Sequence, residues 1–251
     1  MELKTMKTGQ IRFIALLFGV LSVAACLFAQ GKPTPLAAAA PGTRDLASLH
    51  ELLKSNKPIT WVFTGDSITE GAEWTHGERD FSELFSEHIR WDMRRGRDVI
   101  INSAISGNKT DDILEDFQWR IGHFHPDVVS VMLGMNDAAR DSGGRQVFET
   151  NLRKLIEQIR AMGAIPILQT TNWTLDDPRR HDLPAYNAII RDVATSENVI
   201  LVDNWQYWHT HRTENNLAAW LGNAIHPNGL GHAAIAEQMF STLDIASNHA
   251  D

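Results

Sequence analysis

Five short runs of aliphatic and β-branched residues, separated by longer stretches with helical spacing, constrain this chain more than any other feature. The runs cover residues 59–64, 99–102, 127–133, 165–170 and 199–203. None alternates polar with apolar residues, as expected for strands covered on both faces. Between them, Phe81, Leu84, Phe85, His88, Ile89 and Met93 share one helical face, and Leu152, Leu155, Ile156 and Ile159 share another. Pro126 and Pro184 stand where a helix should end or begin. Such alternation predicts an α/β chain: a parallel five-stranded sheet between two helical layers, with reactive groups just beyond the carboxyl ends of the strands. At 251 residues there is room for one domain with a substantial core, and not for two plus a leader.

The N-terminus reads as a targeting segment. Lys4, Lys7 and Arg12 precede an apolar run, 13–29, which gives way to Gly31-Lys32-Pro33. A charged stretch followed by an apolar one is the pattern of an export signal, expected over residues 1–30. The run falls slightly short of a membrane span of about 20 residues, and an uncleaved anchor is the alternative. The single cysteine, Cys26 in Val23-Ala24-Ala25-Cys26, resembles the acylated cysteine of bacterial lipoproteins; the competing reading is a cysteine that merely lies within an apolar run extended by Leu27 and Phe28. Either way, no cysteine remains for an internal disulfide, so stability rests on core burial. Residues 31–45, small and Pro-containing, are expected to be a tether, and 46–251 the domain. Location outside the cytoplasm follows, periplasmic or extracellular, with membrane contact only through Cys26 or an uncleaved signal. The formal charge is −8; setting aside Lys4, Lys7, Arg12 and Glu2 leaves 20 basic and 30 acidic residues, or −10. No basic stripe interrupts that surface, which disfavours nucleic acids and anionic membranes as partners.

The residues that follow the strands point to acyl transfer. They are Gly65-Asp66-Ser67, the segment Asn102 to Asn108 with Gly107, Gly134-Met135-Asn136-Asp137, Asp203-Asn204 and, before the last helix, Asn223-Ala224-Ile225-His226. A serine hydroxyl is a poor nucleophile until a base takes its proton, and imidazole has a suitable pKa. The oxyanion then needs fixed donors, which the backbone N–H groups of Ser67 and Gly107 and the amide of Asn136 could supply. A glycine at 107 lets a substrate carbonyl approach the backbone.

Together these blocks resemble the SGNH or GDSL hydrolases. Gly65-Asp66-Ser67 matches the nucleophile block, Gly107 the glycine block, Gly134-Met135-Asn136-Asp137 the Gly-x-Asn-Asp block, and His226 the histidine, over about residues 59 to 245. The resemblance implies a flavodoxin-like, three-layer α/β/α fold and ester hydrolysis without metal or other cofactor. It further implies Ser67 as nucleophile, His226 as base, and Ser67, Gly107 and Asn136 as the oxyanion hole. One position departs from the family: where an aspartate usually stands three residues before the histidine, this chain has Asn223. In serine proteases that exchange costs about 10⁴-fold in turnover, although papain-like enzymes use Asn as orienter. Three readings stay open here: a Ser67–His226 dyad oriented by Asn223 or a backbone carbonyl, an orienting Asp203, or a slow or retired site.

Other residues have plainer readings. Ser67 could simply cap a helix. Asp66 and Asp137 suit turn and cap hydrogen bonds, and Asp111-Asp112 a helix first turn. His209 with His211, and His123 with His125, lack partners at recognisable metal-ligand spacing. Trp74, Trp173, Trp205, Trp208 and Trp220 fall in or beside loops expected near the site, where aromatic faces could stack on sugar rings, line an acyl pocket or close the core. The resulting expectation is an exported serine esterase acting on short acyl esters, plausibly acetyl groups on carbohydrate. Lysophospholipid or thioester cleavage, or a retired sugar-binding site, are the alternatives.

Overall fold

The structure is a computed structural model that describes residues 42–71, 73–211 and 214–245; the export-signal region with Cys26 lies outside them. The chain order is α1 (Thr43–Lys54), β1 (Thr60–Gly65), α2 (Ser67–Glu70), α3 (Phe81–Glu87), β2 (Val99–Asn102), α4 (Thr110–Glu115), α5 (Phe117–Arg120) and β3 (Val128–Met132). There follow α6 (Asp141–Ala161), β4 (Ile165–Gln169), α7 (Leu183–Glu197), β5 (Ile200–Val202), α8 (Asn204–His211), α9 (Glu214–Ala219) and α10 (Gly229–Thr242). The five parallel strands run β2-β1-β3-β4-β5. Each lies within a residue or two of its expected run. This is the α/β sandwich anticipated from the strand–helix alternation. The first helix straddles the expected boundary at residue 46, and its Asp45 is buried and ion-paired to Arg160 at 2.7 Å.

Right-handed crossovers decide the layers. The chain moves one way from β1 to β2 and the opposite way through β3, β4 and β5, so their connecting helices take opposite faces. On one face α6 packs on α4, α7 and β4; on the other α3 and α10 pack together, with α1 against β4 and β5. The core on the α3 side is aromatic. Trp61 and Phe63 of β1 meet Phe85 edge to face at 4.9 and 5.1 Å, and all three are buried. Helix α3 continues into a π-turn, His88–Asp92, which keeps His88 and Ile89 both buried. One expectation fails: β2 is not covered on both faces. It is one of the two edge strands, and Val99 is 49% exposed.

The topology fixes where a ligand can sit. The chain departs from β1 and β3 in opposite directions, which opens a crevice at the carboxyl ends of those neighbours. Gly65 pairs with Met132, and Phe63 with Asn102. The turn after β1 is therefore flanked by the turns after β2 and β3.

Candidate active site

The strand-to-helix turn after β1 needs glycine at its start. A Cβ on Gly65 would lie 2.4 Å from Thr69 Oγ1 and 2.5 Å from the Met132 carbonyl oxygen. Asp66 is the cap of α2, its Oδ1 accepting from Ile68 N at 3.0 Å. Ser67 is thus the first helical residue, not the cap. Its Oγ lies 2.8 Å from His226 Nε2.

His226 stands in a small turn closed by Gly222 N donating to the His226 carbonyl at 2.8 Å and by Asn228 N donating to Trp220 O at 3.0 Å. Asn228 then caps α10 by accepting from Gly231 N at 3.1 Å. Asn223 Oδ1 lies 3.1 Å from His226 Nδ1, and it also accepts from the backbone N–H groups of Ile225 and His226 at 2.9 and 2.8 Å. Two backbone donors can face only an oxygen, so the amide presents its carbonyl, not its NH2, to the ring. That fixes the proton on Nδ1 and leaves Nε2 free to accept from Ser67. Asp203 is elsewhere: it pairs with Arg191 at 2.7 and 2.8 Å and accepts from Thr170 Oγ1 at 3.0 Å. The Trp74 ring stacks on the imidazole with centroids 4.8 Å apart and planes 12° apart. Burial first, and the nearby Arg180 guanidinium second, push His226 down to about 4.

The oxyanion candidates surround Ser67. Asn108 N donates to Ile105 O at 3.2 Å, which closes a turn holding Gly107 at φ +83°, a conformation that favours glycine. Among the described residues the Gly107 N–H makes no hydrogen bond. Glu70 Oε2 tethers the same turn by accepting from Ser106 N at 2.9 Å. Asn136 Nδ2 donates to the Asn108 carbonyl at 3.1 Å and lies 3.4 Å from Asp66 Oδ2, while Arg180 Nη2 donates to Asn136 Oδ1 at 3.4 Å. Arg180 is itself held by the Met135 carbonyl at 3.1 Å and by Asp177 at 2.5 Å. Arg120 donates to Asn108 Oδ1 at 2.6 Å, bracing the glycine turn from behind. Beneath lie two buried carboxyls. Burial pushes Asp66 up to about 7, with the neighbouring Asp137 adding to the effect, and burial also raises Asp137, whose Oδ1 accepts from Thr110 N and Oγ1 at 3.1 and 2.7 Å.

The structure therefore brings Ser67, Gly107, Asn136, Asn223 and His226 to one sheet edge, and leaves Asp203 out. Trp74 and Trp173 border this edge; Trp208 is fully buried in the core, with the half-buried Trp220 edge-on to it at 5.0 Å. His209 stacks on Trp173 at 4.9 Å, and no cluster of three or more metal-ligating side chains occurs among the described residues. Sequence reasoning missed Arg180 and Arg120. Each acts through a carbonyl or amide oxygen distant in sequence, which no local pattern signals.

Comparison with known proteins accords with this geometry. The family model of the GDSL-like lipase/acylhydrolase family matches residues 63–234. An uncharacterized lipoprotein, YqeF, of Bacillus subtilis is 30% identical over 173 residues, covering 59% of this chain and 71% of the relative. An acetylxylan esterase of Geobacillus stearothermophilus is 26% identical over 195 residues, covering 70% of this chain and 89% of the relative. The crystal structure of the acetylxylan esterase Axe2 of the same organism superposes with a TM-score of 0.64 at 20% identity, over 77% of this chain and 97% of that one, which speaks for the fold. The chain belongs to the GDSL-like lipase/acylhydrolase family and is a hydrolase of ester bonds.

Proposed function

We propose that this chain is an exported serine esterase that removes short acyl groups, acetyl foremost, from carbohydrate esters. The observation that carries the reaction type is the Ser67 Oγ–His226 Nε2–Asn223 Oδ1 relay at 2.8 and 3.1 Å. Ser67 Oγ adds to the ester carbonyl carbon while His226 Nε2 takes its proton. The carbonyl oxygen, now an oxyanion, is met by the Ser67 and Gly107 N–H groups and the Asn136 amide. Collapse breaks the bond to the alcohol oxygen, which leaves with the proton from His226. Water then adds to the acyl-enzyme with His226 again as base, releasing the acid and restoring Ser67. Asn223 holds the imidazole in its productive tautomer but adds no negative charge to stabilise the imidazolium.

The acetylxylan esterase relative and the tryptophans bordering the site support the substrate class. The charged and then apolar N-terminus supports export, and the lipoprotein relative supports acylation of Cys26 as the anchor. No helix among the described residues is long and apolar enough to cross a membrane. A fluorophosphonate should label wild-type protein and not Ser67→Ala, and Ser67→Ala should lose p-nitrophenyl acetate hydrolysis. Absence of labelling together with full activity of Ser67→Ala would end the covalent reading. Metabolic labelling with palmitate that persists in Cys26→Ser would end the anchor reading.

A further inference from the structure

A second concavity adjoins the catalytic crevice. It has a volume of about 300 Å³ and lies between the loop after β4 and the start of α8, lined by Trp173, Trp205, Leu175, Asp176, Asp177 and Arg180 among others. Both sides of the reaction centre are tied to it. Arg180, at its wall, donates to Asn136 Oδ1, and its loop is bound to the histidine turn by Leu175 N donating to Ala224 O at 2.8 Å and Asn172 Nδ2 donating to Ile225 O at 3.0 Å. The Trp173 and Trp205 ring centroids are 4.4 Å apart, and the Trp205 backbone N–H donates to Thr170 Oγ1 at 2.9 Å.

We infer that this cleft is a subsite for an uncharged pyranose ring adjoining the ester. The inference rests on the carbohydrate reading above and gives it a location. Three ligand chemistries can be compared. A fatty acyl chain would strip water from the exposed Asp176 and give nothing back, at a cost of some 1–3 kcal/mol for an unpaired polar group. An anionic sugar would meet the exposed carboxylate of Asp176, and the Arg180 charge is already balanced by Asp177 at 2.5 Å in a chain of net charge −8. A neutral pyranose satisfies both demands: its C–H face suits the indoles, and its hydroxyls suit the carboxylate and guanidinium rim. The cleft volume, at the small end of ligand pockets (about 300–1,000 Å³), fits a single ring better than an extended chain.

The test compares acetylated xylo-oligosaccharides with p-nitrophenyl acetate, which has no sugar to place in the cleft. Trp205→Ala should lower kcat/KM about tenfold or more on the oligosaccharide and change it less than about twofold on the aryl ester. Trp205→Phe should restore most of the loss. Asp176→Ala, at an exposed position, should lower the oligosaccharide value several-fold by itself and leave the aryl ester unchanged. Equal losses on both substrates in Trp205→Ala, or no selective loss in either alanine variant, overturn the cleft assignment while the esterase reading stands. Wild-type protein that cleaves the aryl ester but no acetylated sugar overturns the carbohydrate reading itself.

Discussion

The amide oxygen of Asn223 holds two backbone N–H groups as well as the ring, so the tautomer error that cripples Asp-to-Asn serine proteases does not arise here. What is missing is charge alone. Asn223→Asp should therefore raise kcat on p-nitrophenyl acetate by roughly 10–100-fold, well short of the 10⁴-fold cost known for the reverse exchange. A fall in kcat would show that a neutral partner is what this site requires. The pH profile carries a second expectation. The base works when neutral, and His226 is held down to about 4, so the acid limb of kcat/KM should lie near that pH and not near 6.5. Arg180→Gln removes a nearby positive charge and a donor to Asn136. The limb should move up in pH, and kcat on p-nitrophenyl acetate, which has no sugar to reach the cleft, should fall about tenfold with little change in KM. A limb that stays in place would assign the depression to burial alone.

At the scale of elements, β1 and α3 show what a sequence pattern reveals and what it hides. The short apolar runs identified all five strands, four of them because strands covered on both faces of a parallel sheet must be continuously apolar. The residues just after β1, β2 and β3 are gathered at the crevice, while Asp203 after β5 is not. The face shared by Phe81, Phe85 and Ile89 was equally legible, and Phe85 closes against both Trp61 and Phe63. Phe85→Ala should cost about 3–5 kcal/mol in urea unfolding, a large fraction of the stability of a domain without disulfides. A loss under about 1 kcal/mol would mean that the aromatic cluster collapses to refill the space. The order of the strands came from the family resemblance and not from periodicity: a flavodoxin-like sheet implies β2-β1-β3-β4-β5, the order found, whereas the runs alone did not mark β2 as an exposed edge. Nor were the burial of Trp208 and the alignment of Arg180 with Asn136 legible. Both depend on where loops and short helices meet, which is settled by packing between segments far apart in sequence.

The whole molecule carries a buried acid at its reaction centre. Asp66 sits beneath the nucleophile turn with its carboxyl pushed up to about 7, from an ordinary value near 3.8. The folded state then keeps a proton that the unfolded chain has lost. Stability from this group is full below about pH 4, declines as pH rises towards 7, and is level above it. Asp66→Asn should flatten the fall in Tm between about pH 4 and 7, measured against wild type in the same buffers. An unchanged slope would place the proton elsewhere, with Asp137 the neighbouring carboxyl that burial also raises.

Nucleophile and base are separated by 159 positions in the chain and belong to parts of the fold with unequal support. Ser67 follows β1, an interior strand paired on both sides, whereas His226 lies on an irregular turn fastened by scattered hydrogen bonds from Asn172, Leu175 and Asn223 and one isolated bridge, Leu221 to Pro227. On warming, such a turn should open before the sheet does. Heat inactivation should then set in several degrees below the calorimetric transition and reverse on cooling, so that the enzyme is switched off while still folded.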